Sequence, residues 1–162
     1  MSLRRSIVCA LALLCAAPAA ASARTAWATV NVCDTAANPN TVGIRGSMPA
    51  TLTGASELFM RFQLQYQRSD GTWRPLSAGG DSGFMDVGRA RGRGARQAGH
   101  SFTITPPQAG NVYTLRGLVT FEWRTRAGAV VRSVRKRTTS GHRSTAGADP
   151  AGFSAAECTI TA

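Results

Sequence analysis

Residues 113–124 alternate between apolar and polar side chains along almost their whole length. Tyr113, Leu115, Gly117, Val119, Phe121 and Trp123 fall on one side; Thr114, Arg116, Thr120, Glu122 and Arg124 fall on the other, with Leu118 the exception. A period of two sets one face against a core and the other in water, which predicts a β-strand; a helix would mix the two classes, because its neighbours lie three and four residues apart. Residues 58–68 repeat the pattern, with Leu58, Met60, Phe62, Leu64 and Tyr66 against Arg61, Gln63, Gln65 and Gln67, and Phe59 out of step. Asp70-Gly71 then supplies a hairpin turn and residues 72–76 the returning strand. Pro75 has no N–H to give to a ladder, so that strand belongs at a sheet edge or ends there.

The remaining elements are shorter. Strands are expected at 27–33, 41–48, 84–87, 101–105 (Phe102 and Ile104 inward), 130–139 and 157–161. Residues 88–99 keep no apolar periodicity and read as an exposed loop or a ragged edge, and 140–156 as a long small-residue segment. No stretch has the spacing of a useful helix. The expectation is an all-β antiparallel sandwich or barrel of about eight strands. Within it Trp123 and Tyr66 should point inward, while Trp27 and Phe59 fall outside the main apolar faces and are candidates for an exposed patch.

Composition adds the compartment. Arg4 and Arg5, an apolar run over 7–17 and the exit Ala21-Ser22-Ala23 are the parts of a secretory leader, so residues 1–23 are expected to be removed and 24–162 to form one domain. No second apolar run follows, so no transmembrane segment is expected after cleavage and the product should be secreted. Cleavage leaves Cys33 and Cys158, and one pair in an exported chain reads as one disulfide closing nearly the whole domain. The formal charge of +11 becomes +9 once Arg4 and Arg5 are subtracted. Every basic residue except Lys136 is arginine, in a background rich in alanine and glycine, which matches the codon bias of a GC-rich bacterial genome. Such a bias weakens arginine as a sign of phosphate recognition, although the positive field still favours anionic surfaces.

Gly110, Tyr113 and Leu115 resemble the tyrosine corner of immunoglobulin-like and fibronectin type III-like sandwiches, in which a tyrosine near the start of strand F lies two residues before a core position. The segment 62–66 followed by Asp70-Gly71-Thr72-Trp73 resembles strands C to C′ of bacterial immunoglobulin-like modules. The resemblance places strand C at 58–68, E at 101–105, F at 112–125 and G at 129–138, and assigns Tyr113 the corner. Leu115 stands where an antibody domain has its second cysteine, so the usual inter-sheet disulfide is missing, and the terminal cysteine pair departs from the pattern. The chain is also similar to small exported actinobacterial proteins without an assigned activity. Folds of this kind carry no catalytic residues over.

Candidate chemistry is sparse. Arg89, Arg91, Arg93 and Arg96 lie among glycines, and Arg132, Arg135, Lys136 and Arg137 on a strand; both clusters are candidate polyanion contacts. A solvated loop accounts for the first cluster and edge protection for the second more simply. His142, Asp149 and Ser154 permit a hydrolase site on paper in the 140–156 loop, but no nucleophile motif accompanies them. His100 reads as structural, and Glu122 as the partner of a neighbouring arginine. Two cysteines and two distant histidines do not make a zinc site, so no catalytic residue, metal or cofactor is assigned. The reading is a secreted, non-catalytic binding or structural module of the cell surface. Its partner classes are an anionic cell-envelope polymer or another surface protein. The alternatives are an electrostatic polyanion binder and an extracellular hydrolase.

Overall fold

The computed structural model describes residues 25–92, 94–143 and 145–162; the leader expected at 1–23 and Arg93 lie outside them. The described residues form nine strands: β1 (Trp27–Thr35), β2 (Asn38–Pro49), β3 (Glu57–Gln67), β4 (Trp73–Pro75), β5 (Asp81–Arg89), β6 (Ala95–Thr103), β7 (Val112–Arg124), β8 (Val130–Arg137) and β9 (Cys158–Thr161). One sheet has the order β1-β2-β6. In the other, β3 and β7 are central, and each far side is shared by two strands. Beyond β3, β5 pairs residues 57–63 and β4 pairs 65–67; beyond β7, β9 pairs 112–115 and β8 pairs 118–124. All ladders between named strands are antiparallel. The architecture is therefore an all-β antiparallel sandwich, compatible with an immunoglobulin-like one.

The two alternating stretches become the paired central strands β3 and β7, in register from Glu57↔Arg124 to Tyr66↔Leu115. Met60, Phe62, Leu64, Val119 and Phe121 meet Val30, Val42, Ile44 and Met48 of the opposite sheet, all fully buried. Burying each large apolar side chain contributes about 1.5–3 kcal/mol before the entropy of ordering is subtracted. Two glycines let the layers approach. A Cβ on Gly46 of β2 would lie 3.0 Å from Phe121 of β7, and one on Gly117 of β7 would lie 2.7 Å from Ile44 of β2. Each central strand thus offers a hole to a bulky side chain of the other. Trp123 is buried as expected, and its indole N–H donates to the Pro49 carbonyl at 3.0 Å.

Several expectations change. Of the two readings of the arginine-glycine stretch, the edge segment is the one found at both its ends. β5 continues to Arg89 and β6 begins at Ala95, pairing with β2 from Pro49↔Ala95 to Thr41↔Thr103. An edge strand gains its hydrogen bonds from one neighbour and needs little apolar alternation, so the pattern does not announce it. Trp27 and Phe59 form no open patch. Trp27 stacks on His142 (centroids 4.1 Å apart, planes at 9°), and the Arg124 guanidinium covers Phe59 at 4.2 Å. Tyr66 keeps the inward register but is 37 % exposed, because it stands where the inter-sheet space opens at the end of the sandwich.

The 140–156 segment lies along β1. Asp149 and Ala155 form isolated bridges with Val32 and Val30, and Asn31 donates its amide to the Gly147 carbonyl at 2.8 Å. Gly147 (φ +67°) crosses Arg45, and a Cβ there would sit 2.8 Å from Nη2. Burial lowers the Arg45 pKa, and its Nε makes no hydrogen bond. Cys158 of β9 is bonded to Cys33 of β1, with Cα atoms 5.4 Å apart, so the disulfide joins the first strand of one sheet to the last strand of the other.

Candidate functional site

An opening lies at the end of the sandwich where the sheets part. Tyr66 and Gln67 close β3, Tyr113 and Leu115 open β7, and Thr103, Ile104 and Thr105 lead out of β6. The 76–80 turn forms the remaining wall with Leu76, Ala78 and Gly79, enclosing about 430 Å³. That turn is tied to β3, since Leu76 N–H donates to the Leu64 carbonyl at 2.9 Å and Leu64 N–H to the Gly80 carbonyl at 2.8 Å. It is tight enough to require glycine, because a Cβ at Gly80 would lie 2.5 Å from the Leu76 carbonyl oxygen.

Alternation explains the two tyrosines. Tyr66 and Tyr113 occupy inward positions of neighbouring strands, and the opposite sheet does not cover them there. They are 37 % and 40 % exposed. Leu76, Ile104 and Leu115 supply apolar surface, while two phenols, the Gln67 amide and the Thr103 and Thr105 hydroxyls supply polar atoms. Thr103 shares a hydroxyl contact with Thr41 at 3.3 Å, and Gln67 donates weakly to the Gly71 carbonyl at 3.4 Å. Among the described residues no carboxylate, imidazole, guanidinium or amine lines the cleft. The lining thus combines apolar surface with uncharged hydrogen-bonding groups, the usual make-up of a small-molecule pocket. Tyr113 stands two residues before buried Leu115, the spacing of the corner, and among the described residues its hydroxyl makes no hydrogen bond.

The two arginine clusters do not converge. Arg89 ends β5, Arg91 lies in the connection to β6, and Arg96 is in β6; Arg89 and Arg91 border a depression of about 220 Å³ together with Arg126. Arg132, Arg135, Lys136 and Arg137 are on β8, at the far edge of the larger sheet across β3 and β7. Register divides this second cluster again. Arg132 and Lys136 face the side of buried Trp123 and Val119, and Arg132 lies 5.5 Å from the Trp123 ring, whereas Arg135 and Arg137 share the outer face with Thr120 and Leu118.

The three residues that permit a hydrolase site on paper, His142, Asp149 and Ser154, have other partners. His142 Nε2 contacts the Thr139 hydroxyl at 2.9 Å, and its backbone N–H donates to Ser154 Oγ at 3.0 Å. Ser154 Oγ also contacts Thr29 Oγ1 at 2.8 Å, and Asp149 accepts from the Thr35 hydroxyl and from Asn38 Nδ2. Among the described residues neither a serine–imidazole nor an imidazole–carboxylate hydrogen bond forms. Burial lowers the His142 pKa from 6.5. A depressed histidine pKa means that the unfolded chain takes up the proton first. The contribution of this site to stability is therefore complete above the unfolded value of about 6.5 and declines as pH falls towards the folded value. A proton-detected titration of His142 should show a midpoint below 6.5; a midpoint at or above it contradicts this environment.

On the outer face of the larger sheet Glu122 has the neighbouring arginine partner expected for it, Arg124, and the other contacts there were missed by sequence reasoning. Arg116 stacks over Trp73 at 4.0 Å and donates to Gln65 at 2.9 Å. Arg61 forks onto Asp81 (Nε to Oδ1, 2.8 Å), which holds that carboxyl at about 2, and Arg124 sits between Phe59 and Phe84 while donating to Glu122 at 2.8 Å. For Arg61 and Arg116 the only cue was that they occupy polar positions of their strands; their partners come from long-range register, whereas Arg124 and Glu122 lie two residues apart on one strand.

The fold and cleft define a disulfide-closed antiparallel β-sandwich, and disulfides persist in oxidising, extracellular-type surroundings. Among the described residues no helix is long and apolar enough to cross a membrane, and no cluster of side chains is arranged to hold a metal ion. No protein-family model matches the chain, and no curated protein matches it.

Proposed function

We propose that the chain is a secreted, non-catalytic binding module of the immunoglobulin-like type, and that its site is the Tyr66–Tyr113 cleft. The observation that carries this reading is an uncharged, half-apolar cleft in a protein of net charge +11. Strand placement supports the fold assignment, since β3, β7 and β8 share one sheet and β6 lies in the other, as strands C, F, G and E do in such domains. The ligand class that fits is a small neutral saccharide: a tyrosine ring takes the C–H face of a sugar, and threonine and glutamine side chains meet its hydroxyls.

The test is an amide-shift titration with maltose, cellobiose and chitobiose. Shifts should cluster at Tyr66, Leu76, Ile104 and Tyr113, and Tyr66→Ala or Tyr113→Ala should weaken the response roughly tenfold, the loss of one aromatic contact. Silence at these residues with all three sugars, or shifts confined elsewhere, overturns the cleft assignment. Release of monosaccharide overturns the non-catalytic one.

A further inference from the structure

The outer face of the larger sheet has a charge-paired zone and an unpaired one. In the first, Arg61 is matched by Asp81 and Arg124 by Glu122, with Phe59 and Phe84 filling the gaps. In the second, Arg116 of β7 and Arg135 and Arg137 of β8 point to the same side, because Thr120 pairs with Arg135 and Leu118 with Arg137. None of these three takes part in an ion pair among the described residues. They form a slanted row, Arg116, Arg137, Arg135, that spans roughly 14 Å from the strand spacing and rise. Burial first, and the nearby Arg137 second, lower the Arg116 pKa, while Glu157 opposes them. Like charges are thus held together, with Arg116 fixed in place by Trp73 and Gln65.

We infer that this row is a binding face for an extended acidic polysaccharide, separate from the neutral cleft. Guanidinium groups fork onto carboxylate and sulfate oxygens, and three of them along a flat strand pair call for a ligand whose anionic groups repeat along a chain. A single small anion finds no concavity holding all three. Single-stranded nucleic acid fits less well, since bases need open aromatic faces and Arg116 already occupies one face of Trp73. Arg89 and Arg96 take no part, because Arg89 is on β5, across β3 and β7 from β8, and Arg96 is on β6 of the other sheet.

The experiment compares two variants that remove equal charge, R116Q/R135Q/R137Q and R89Q/R91Q/R96Q, in titrations with a heparin oligosaccharide and polygalacturonate. The first triple should lose roughly tenfold or more in affinity and show a shallower salt dependence, as loss of three ionic contacts implies, while the second stays within about threefold. The pair R135Q/R137Q, which spares the Trp73 stack, should show an intermediate loss, and near-ultraviolet circular dichroism checks that each variant is folded. Equal losses in both triples would reduce the effect to net charge and overturn the assignment. So would failure of the parent protein to bind either polysaccharide, or binding of polyglutamate or single-stranded DNA as tight as that of the sugars.

Discussion

Replacing Cys33 and Cys158 with serine is expected to lower the unfolding free energy by about 5 kcal/mol. The bond spans a sequence separation of 125 residues, and in the chain-entropy model a loop of that size restrains the unfolded chain by about this amount. The position of the bond adds a local consequence. β9 is short, pairs only with residues 112–115, and buries Ile160; the disulfide is its covalent tie to β1. The double variant should therefore also lose amide protection at β9 and at the start of β7 before the rest of the sandwich opens. Urea unfolding of both forms with hydrogen exchange checks this; a difference under about 1 kcal/mol would show that the bond adds little to the sheet contacts.

Phe121→Ala should cost about 3–5 kcal/mol. The side chain is fully buried at the middle of β7, opposite Met60 in the ladder and above Gly46 of the facing sheet. Alanine leaves a void bordered by a glycine, which has no side chain to swing into it, so the penalty should lie towards the upper end of that range. Calorimetry or urea unfolding measures it. A loss under about 1 kcal/mol would mean that the two layers collapse onto each other, contrary to the tight packing of β-sandwich interiors.

Legibility in the sequence followed burial. β3 and β7 were readable because each has one face in the core, from Leu58 to Leu64 and from Leu115 to Trp123. β6 escaped over its first residues because an edge strand exposes Ala95, Arg96 and Gln97, and its pairing comes from β2. The cysteine pairing was available by elimination, since removal of the expected leader would leave only Cys33 and Cys158. The cleft was half visible. Alternation placed Tyr66 inward, but where the opposite sheet stops depends on where β6 ends, which no local pattern records. Arg116 looked like any polar strand residue until register brought Trp73 beneath it, and the outward pair Arg135 and Arg137 separated from Arg132 and Lys136 only once the β7–β8 pairing was known.

The reciprocal fit of Phe121 over Gly46 and Ile44 over Gly117 makes the two layers behave as keyed parts. Sliding one past the other by a single residue would drive a ring or a branched side chain into backbone at both points together. Variation at these four positions is consequently concerted: a larger group at either glycine demands a smaller one across the gap, and their energetic effects will not add. This interlock also bears on how far apart the layers stand at the far end, where the two tyrosines of one sheet face the end of β6 in the other.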